Sequence, residues 1–97
     1  MCEHAPGTAT PTLQIDNGRT IITEWRFQPG ENTGWHRHTY DYAVVPMTNG
    51  VLKIVSKDGE INAELKFGQS YFREAGVEHD VINASDHEVV FVEIEYR

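Results

Sequence analysis

Residues 51–67 read VLKIVSKDGEINAELKF, and they decide the fold class because they predict two strands joined by a tight turn. Asp58-Gly59 is a dipeptide that favours a β-hairpin turn, since it tolerates the positive φ angles that such turns need. The apolar residues after the turn alternate with polar ones: Ile61, Ala63, Leu65 and Phe67. A period of two is typical of a strand, so the stretch predicts an antiparallel hairpin over 51–57 and 60–67.

The rest of the chain repeats this pattern of short apolar runs separated by turn residues. Asn-Gly or Pro-Gly dipeptides stand at 17–18, 29–30 and 49–50, and no stretch shows helical spacing with caps. The further predicted strands are Leu13–Asp16, Thr20–Gln28, Tyr40–Met47, Tyr71–Arg73, Val77–Asn83 and Glu88–Tyr96. Roughly eight strands without a helix predict an all-β sandwich or closed barrel, whose interior has room for one small ligand.

The residue pattern of the last predicted strand bears on whether the chain forms a dimer. Its members Val90, Val92, Ile94 and Tyr96 share one face, which we assign to the core. Glu93 and Glu95 then lie on the opposite, solvated face, together with Val89 and Phe91. Because apolar residues on an outer face commonly join two protomers, we expect a homodimer.

Composition bounds the domain organisation and the partners. With 97 residues, the chain has the length of one domain. Residues 1–12 are rich in Pro, Gly and Thr, and predict a flexible tail, or at most an edge strand, ahead of a domain over 13–97. A net charge of −7 repels nucleic acids and anionic membrane surfaces, so we expect neither as a partner. The single cysteine, Cys2, and the lack of an apolar signal or membrane segment predict a cytoplasmic protein.

Three histidines are the candidates for chemistry. His36 and His38 are separated by one residue, a spacing that puts two side chains on the same face of a strand. Two such imidazoles can bind one metal ion. His79 begins another predicted strand, and closure of the sheet would bring it beside the pair.

The spacing around these histidines resembles the two motifs of the cupin superfamily. Gly30, five residues, His36-Arg37-His38 and a later Gly50 resemble the first motif, G-x5-H-x-H-x3,4-E-x6-G. The second motif, G-x5-P-x-G-x2-H-x3-N, resembles the set Gly68, Glu74, Gly76, His79 and Asn83. The resemblance implies a single-domain double-stranded β-helix (jelly-roll) barrel that binds a divalent metal through His36, His38 and His79.

The glutamate of the first motif is missing, since Tyr42 and Ala43 stand at the places where it would fall. Three arrangements remain open: a bare three-histidine site, a Tyr42 phenolate as a fourth ligand, or Asp41 turned inward by a β-bulge. We favour three histidines with the Tyr42 hydroxyl bonded to a metal-bound water or to substrate, as a catalytic residue. Imidazole ligands favour Fe, Zn, Ni or Cu as the metal, and an open coordination position favours a working site over a structural one.

A narrower resemblance concerns the stretch GWHRHTYDYAVVP at 34–46, with YFR at 71–73 and AGVEH at 75–79. These residues resemble the small cupins known as beta-alanine degradation proteins. The resemblance implies a metal-dependent enzyme that acts on a small, anionic carbonyl or carboxylate compound, either as a dioxygenase or as an enolate-stabilising lyase or isomerase. The alternative is a non-catalytic, metal-dependent domain that binds or senses a small ligand. Arg73 can point into the cavity towards an anionic substrate, or lie on the surface in an ion pair.

Overall fold

The computed structural model describes residues 7–97, which form nine strands and no helix. The strands are β1 (Thr10–Asp16), β2 (Thr20–Phe27), β3 (His36–Arg37), β4 (Asp41–Pro46), β5 (Gly50–Ser56), β6 (Gly59–Leu65), β7 (Tyr71–Arg73), β8 (Glu78–Asn83) and β9 (Val89–Tyr96). No helix of the described residues is suited to crossing a membrane. Cys2 and the beginning of the predicted tail lie outside the described residues.

Two antiparallel sheets face each other. The five-stranded sheet has the order β1-β2-β9-β4-β7, and the four-stranded sheet has the order β3-β8-β5-β6. This is the predicted all-β, single-domain double-stranded β-helix. Residues 10–12 belong to β1, which lies at the edge of the five-stranded sheet. For this part of the predicted tail, the structure therefore has the edge strand and not the flexible segment.

The β5–β6 hairpin forms, but its turn lies one residue earlier than the dipeptide suggests. Ser56 pairs with Gly59, so the central turn residues are Lys57 and Asp58. Gly59 has a φ of 117° and no residue other than glycine has a positive φ in the described chain. A positive φ is unfavourable for an aspartate and accessible to glycine, which explains why Gly59 and not Asp58 adopts it.

Between the sheets lies an apolar core of buried residues, namely Ala9, Phe27, Tyr42, Val44, Leu52, Leu65, Val81, Val89 and Phe91. Phe27 is fully buried, and its ring centre lies 5.4 Å from that of Phe91. Pairing of β2 with β9 puts Trp25 opposite Phe91 and Phe27 opposite Val89. Neighbours in a ladder share a face of the sheet, so Val89, Phe91, Glu93 and Glu95 point inward.

The face assignment predicted for the last strand is therefore wrong. Val89 and Phe91 are 0% and 4% exposed, so they belong to the core and not to an outer patch. The interpretation of Glu93 as a solvated residue is wrong for the same reason. Alternation could not decide between the faces, because β9 lies in the middle of its sheet and carries apolar residues on both.

Two motif residues other than the histidines, Asn83 and Gly50, have structural roles. The buried Asn83 side chain donates to the carbonyl oxygens of Phe27 and His87, at 3.2 and 2.8 Å, and accepts a bond from the Ser85 amide. At Gly50 a Cβ atom would meet Val89 Cγ2 at 2.6 Å. That separation is below van der Waals contact, so a side chain at position 50 would displace the core residue.

Candidate metal centre

Backbone pairing between β3 and β8 brings His36 and His79 together. His36 lies directly opposite His79 in this antiparallel pair. His38 lies beyond the end of β3, where its amide donates to the Val77 carbonyl oxygen and its own carbonyl accepts from the Gly76 amide, both at 2.8 Å. Gly76 has a φ of 100°, a backbone conformation that suits glycine. The turn before β8 therefore holds His38 beside His79.

The three imidazoles converge closely enough to share an ion. One ring nitrogen from each of His36, His38 and His79 lies within 4.8 Å of the other two, and the Nε2 atoms of His36 and His38 are 3.0 Å apart. A metal–imidazole bond is ~2.0–2.1 Å long, so one ion between these nitrogens can reach them. The donor set and its spacing fit a divalent transition metal.

Contacts outside the three rings orient His36. Its Nδ1 donates to the Gly34 carbonyl oxygen at 2.9 Å, which leaves the Nε2 lone pair directed at the other histidines. The Gly34 amide in turn donates to Asp80 Oδ1 at 3.1 Å, and Asp80 also accepts a bond from the Asn32 side chain at 3.0 Å. Asp80 on β8 thus fixes the loop that sets the orientation of the His36 ring.

Burial keeps two of the imidazoles in the form that binds metals. It lowers the pKa of His38 to about 4, with further lowering by His36 and His79. Burial, followed by the charge of His36, also lowers the pKa of His79 to about 4. Both side chains are therefore neutral at pH 7. A neutral imidazole offers its lone pair without first releasing a proton, so metal binding needs no deprotonation of these two residues.

The structure separates the two residues considered as a fourth ligand. Tyr42 is buried and its ring stacks on His38, with ring centres 3.9 Å apart. Burial raises the pKa of the Tyr42 phenol well above its usual range, and Glu93 raises it further, which favours a hydroxyl donor over a phenolate. Asp41 is exposed and accepts a hydrogen bond from the Ala75 amide at 2.8 Å. This structure does not adopt the inward Asp41 alternative, because the Asp41 carboxylate holds the turn after β7 and Asp41 does not line the cavity.

Two carboxylates of β9 lie near the site and were missed by the sequence reasoning. Oxygen atoms of Glu93 and Glu95 lie within 4.8 Å of each other and of a His38 ring nitrogen. Burial, with a smaller contribution from Glu95, raises the pKa of Glu93 to about 7. Glu93 is two residues beyond the buried Phe91, and this shared parity is the one signal in the sequence that could have placed it inside.

A single cavity of about 180 Å³ contains the three histidines. Its walls are mostly apolar and come from both sheets, with Trp25, Val44, Leu52, Ile54 and Phe91 among them. Tyr42, Glu93 and Arg73 contribute the polar groups that face the histidines from the five-stranded sheet. This volume is below that of a typical drug-sized pocket and suits a metabolite of a few carbon atoms.

Comparison with known proteins assigns the family. The model of the cupin domain family matches residues 23–95, which include all three histidines. This chain belongs to the cupin family. The beta-alanine degradation protein BauB of Pseudomonas aeruginosa is 60% identical to this cupin over 89 residues, which cover 92% of this chain and 94% of BauB.

Solved structures agree with the fold. A cupin domain protein of Bordetella pertussis Tohama I superimposes on this cupin with a TM-score of 0.92 at 55% identity, covering 98% of this chain and 99% of the other. A double-stranded β-helix protein of Klebsiella pneumoniae reaches a TM-score of 0.77 at 18% identity, over 97% of this chain and 81% of the other. The second likeness concerns the fold alone.

Proposed function

We propose that this cupin binds a divalent transition metal through His36, His38 and His79 and acts as a metal-dependent enzyme on a small carbonyl or carboxylate metabolite. The observation that supports this most directly is the convergence of three imidazole nitrogens within 4.8 Å of one another in one cavity. A metal bound there would supply Lewis acidity, stabilising the negative charge that develops on a substrate oxygen.

The residues around the histidines support such chemistry. Two of the imidazoles are neutral at pH 7 because their pKa values are about 4, so they leave the charge of a divalent ion available to a substrate. The Tyr42 hydroxyl, held against His38, is a candidate hydrogen-bond donor to substrate. Glu93, with a pKa of about 7, can take up and release a proton near neutral pH. The walls around these groups are mostly apolar, which strengthens electrostatic interactions between them and a substrate.

The name of the relative BauB suggests that this cupin acts in the breakdown of beta-alanine. BauB is described as a beta-alanine degradation protein, and we propose a role in the same breakdown for this cupin. A short 3-oxo acid from that pathway fits the size of the cavity and has the carbonyl and carboxylate oxygens that a Lewis-acidic site binds. Fe, Zn, Ni and Cu all suit imidazole ligands. Iron would favour a dioxygenase, whereas zinc or nickel would favour a lyase or isomerase.

Elemental analysis of the protein, purified without added metal or chelator, is the first test. We expect about one transition-metal ion per chain, and its removal by a chelator should abolish turnover of a 3-oxo acid. Failure to bind any of the four metals, even after reconstitution, would overturn the proposal. Turnover also distinguishes the alternative: a ligand that stabilises the metal-loaded protein against heat and returns chemically unchanged would favour a binding or sensing domain.

We further propose that this cupin is a homodimer, joined by the outer face of the five-stranded sheet rather than by the residues first expected. Ladder neighbours form an apolar row across all five strands, namely Ile15, Ile22, Ile94, Ala43 and Phe72. Phe72 is 52% exposed and Ile15 is 45% exposed in the single chain. Exposed apolar rows of this kind are typical of contacts between protomers.

Light scattering after size exclusion at micromolar concentration tests the dimer. We expect twice the chain mass of 11.0 kDa for the unaltered protein, and the monomer mass for Phe72→Asp, because a carboxylate in the row would be buried without a partner. Phe67→Asp is the matched control, since Phe67 is 68% exposed but lies outside the row. A monomeric mass for the unaltered protein would refute the proposal.

A further inference from the structure

Arg73 of β7 faces the metal centre from the opposite sheet. It lines the cavity that contains the three histidines. Antiparallel pairing places Arg73 directly opposite Tyr42, and the Tyr42 ring stacks on His38. The guanidinium is solvent-exposed, so it lies at the rim of the cavity, one strand away from the tyrosine that contacts a metal ligand.

The charge of Arg73 is not neutralised by an acidic neighbour. Among residues 7–97, no carboxylate lies within ion-pairing distance of Arg73, whereas Arg26 and Arg97 are both paired with carboxylates. The Nη1 atom of Arg73 donates to the Phe72 carbonyl oxygen at 3.0 Å, and the guanidinium carbon lies 4.7 Å from the centre of the Tyr71 ring. A guanidinium has five N–H donors, so most of them remain available to a ligand.

The contacts that Arg73 does make orient it. The bond to its own strand and the stacking on Tyr71, itself a wall of the cavity, restrict the guanidinium to the cavity side of β7. A planar fork held in one direction binds a carboxylate through two parallel hydrogen bonds, and loses little entropy on binding. The surrounding protein has a net charge of −7, which repels anions, so an anionic ligand needs a local cation of this kind.

We propose that Arg73 binds the carboxylate of the substrate while the other end of the molecule is presented to the three histidines, an inference that rests on the proposed function. The substrate class is then a short carboxylic acid with a second oxygen function a few atoms away. Arg73 is the residue that selects this class over neutral carbonyl compounds of the same size. Tyr42, between Arg73 and His38, contacts the middle of the substrate.

Malonate, a three-carbon dianion, and the neutral malonamide of the same shape are suitable probes. Their binding to the zinc-loaded protein is measured by calorimetry for the unaltered chain, for Arg73→Gln, and for Arg37→Gln as control. Arg37 is an exposed arginine of β3 that does not line the cavity. Loss of a charge-assisted bidentate contact is worth roughly 1.5–3 kcal/mol, so we expect Arg73→Gln to weaken malonate binding about 10- to 100-fold. Arg37→Gln should bind malonate as the unaltered chain does.

Malonamide separates an electrostatic role from a structural one. We expect Arg73→Gln to change malonamide binding less than threefold, since no carboxylate is lost; equal weakening of both probes would overturn the inference. Unaltered malonate affinity in Arg73→Gln would overturn it too, as would failure of the unaltered chain to bind millimolar malonate. Zinc content is measured separately for each protein. A chain that binds no zinc contradicts the proposed function, while the dependence of malonate binding on Arg73 can still be read in the metal-free protein.

Discussion

His79→Ala is expected to purify with almost no metal, and its affinity for zinc should be at least 100-fold below that of the unaltered protein. Among residues 7–97, three imidazoles meet at the site and His79 supplies one of them; without it, His36 and His38 would hold an ion through two bonds. Metal content by elemental analysis, together with zinc affinity by competition with a chromophoric chelator, measures the effect. Turnover of a 3-oxo acid should fall below detection with the metal.

The matched control for this change is His87→Ala. His87 is exposed, bonds to Asp86 and to the Asn49 carbonyl oxygen, and lies outside the cavity, so its removal should leave the metal in place. Because His79 is buried, its loss also removes packing, and His79→Gln provides a second variant of similar size with a neutral side chain. A folded variant of either kind that keeps a full equivalent of metal would contradict the assignment of His79 as a ligand.

Glu93→Gln is expected to stabilise the metal-free protein at alkaline pH. The pKa of Glu93 is raised from 4.5 to about 7, so the folded state binds more protons than the unfolded state between these values. Stability is therefore lost as the pH rises through this window, and the cost is complete above pH 7. Removing the carboxylate should make the variant more stable than the unaltered protein by an amount that grows by about 1–3 kcal/mol between pH 5 and pH 8.

Urea unfolding at pH 5 and pH 8, after removal of metal, measures this difference. The two histidines act in the opposite direction: since the pKa values of His38 and His79 are lowered to about 4, their contribution to stability falls as the pH drops from 6.5 towards 4. They are present in both proteins and cancel in the comparison. Glu74→Gln, at an exposed position, is the matched control for loss of a carboxylate. A constant difference between Glu93→Gln and the unaltered protein would contradict the burial of an ionising carboxyl at position 93.

The strands were predictable from the sequence because they follow local rules, whereas the convergence of the three histidines was predictable only through the resemblance to the cupin motifs. Turn dipeptides and alternation define strands, and the cupin motifs place His36, His38 and His79. The reason for the placement of His38 differs from the expected one, however. β3 has only two residues, so His38 is held by backbone bonds to the turn before β8 rather than by the parity of a strand.

The residues that face the histidines were less predictable, because they depend on which side of a sheet is covered. The sequence does not show which way Glu93 points, because both faces of β9 carry apolar residues and only the pairing of β9 with β2 and β4 decides between them. The position of Asp41 cannot be predicted from the sequence, because a single sequence does not show where a bulge lies. Its bond to the Ala75 amide connects two segments 34 residues apart, a contact that no local pattern records.

The two sheets contribute different kinds of side chain to the cavity. One sheet, with the loops at its β3 edge, contributes the imidazoles, and the other contributes Tyr42, Arg73 and Glu93. The histidines and the residues that face them are thus carried by separate hydrogen-bonded layers, although Tyr42 stacks on His38 across the gap between them. On the proposed function, substitution of Arg73 at the rim would then change which compounds bind, while the backbone bonds that position His36, His38 and His79 remain.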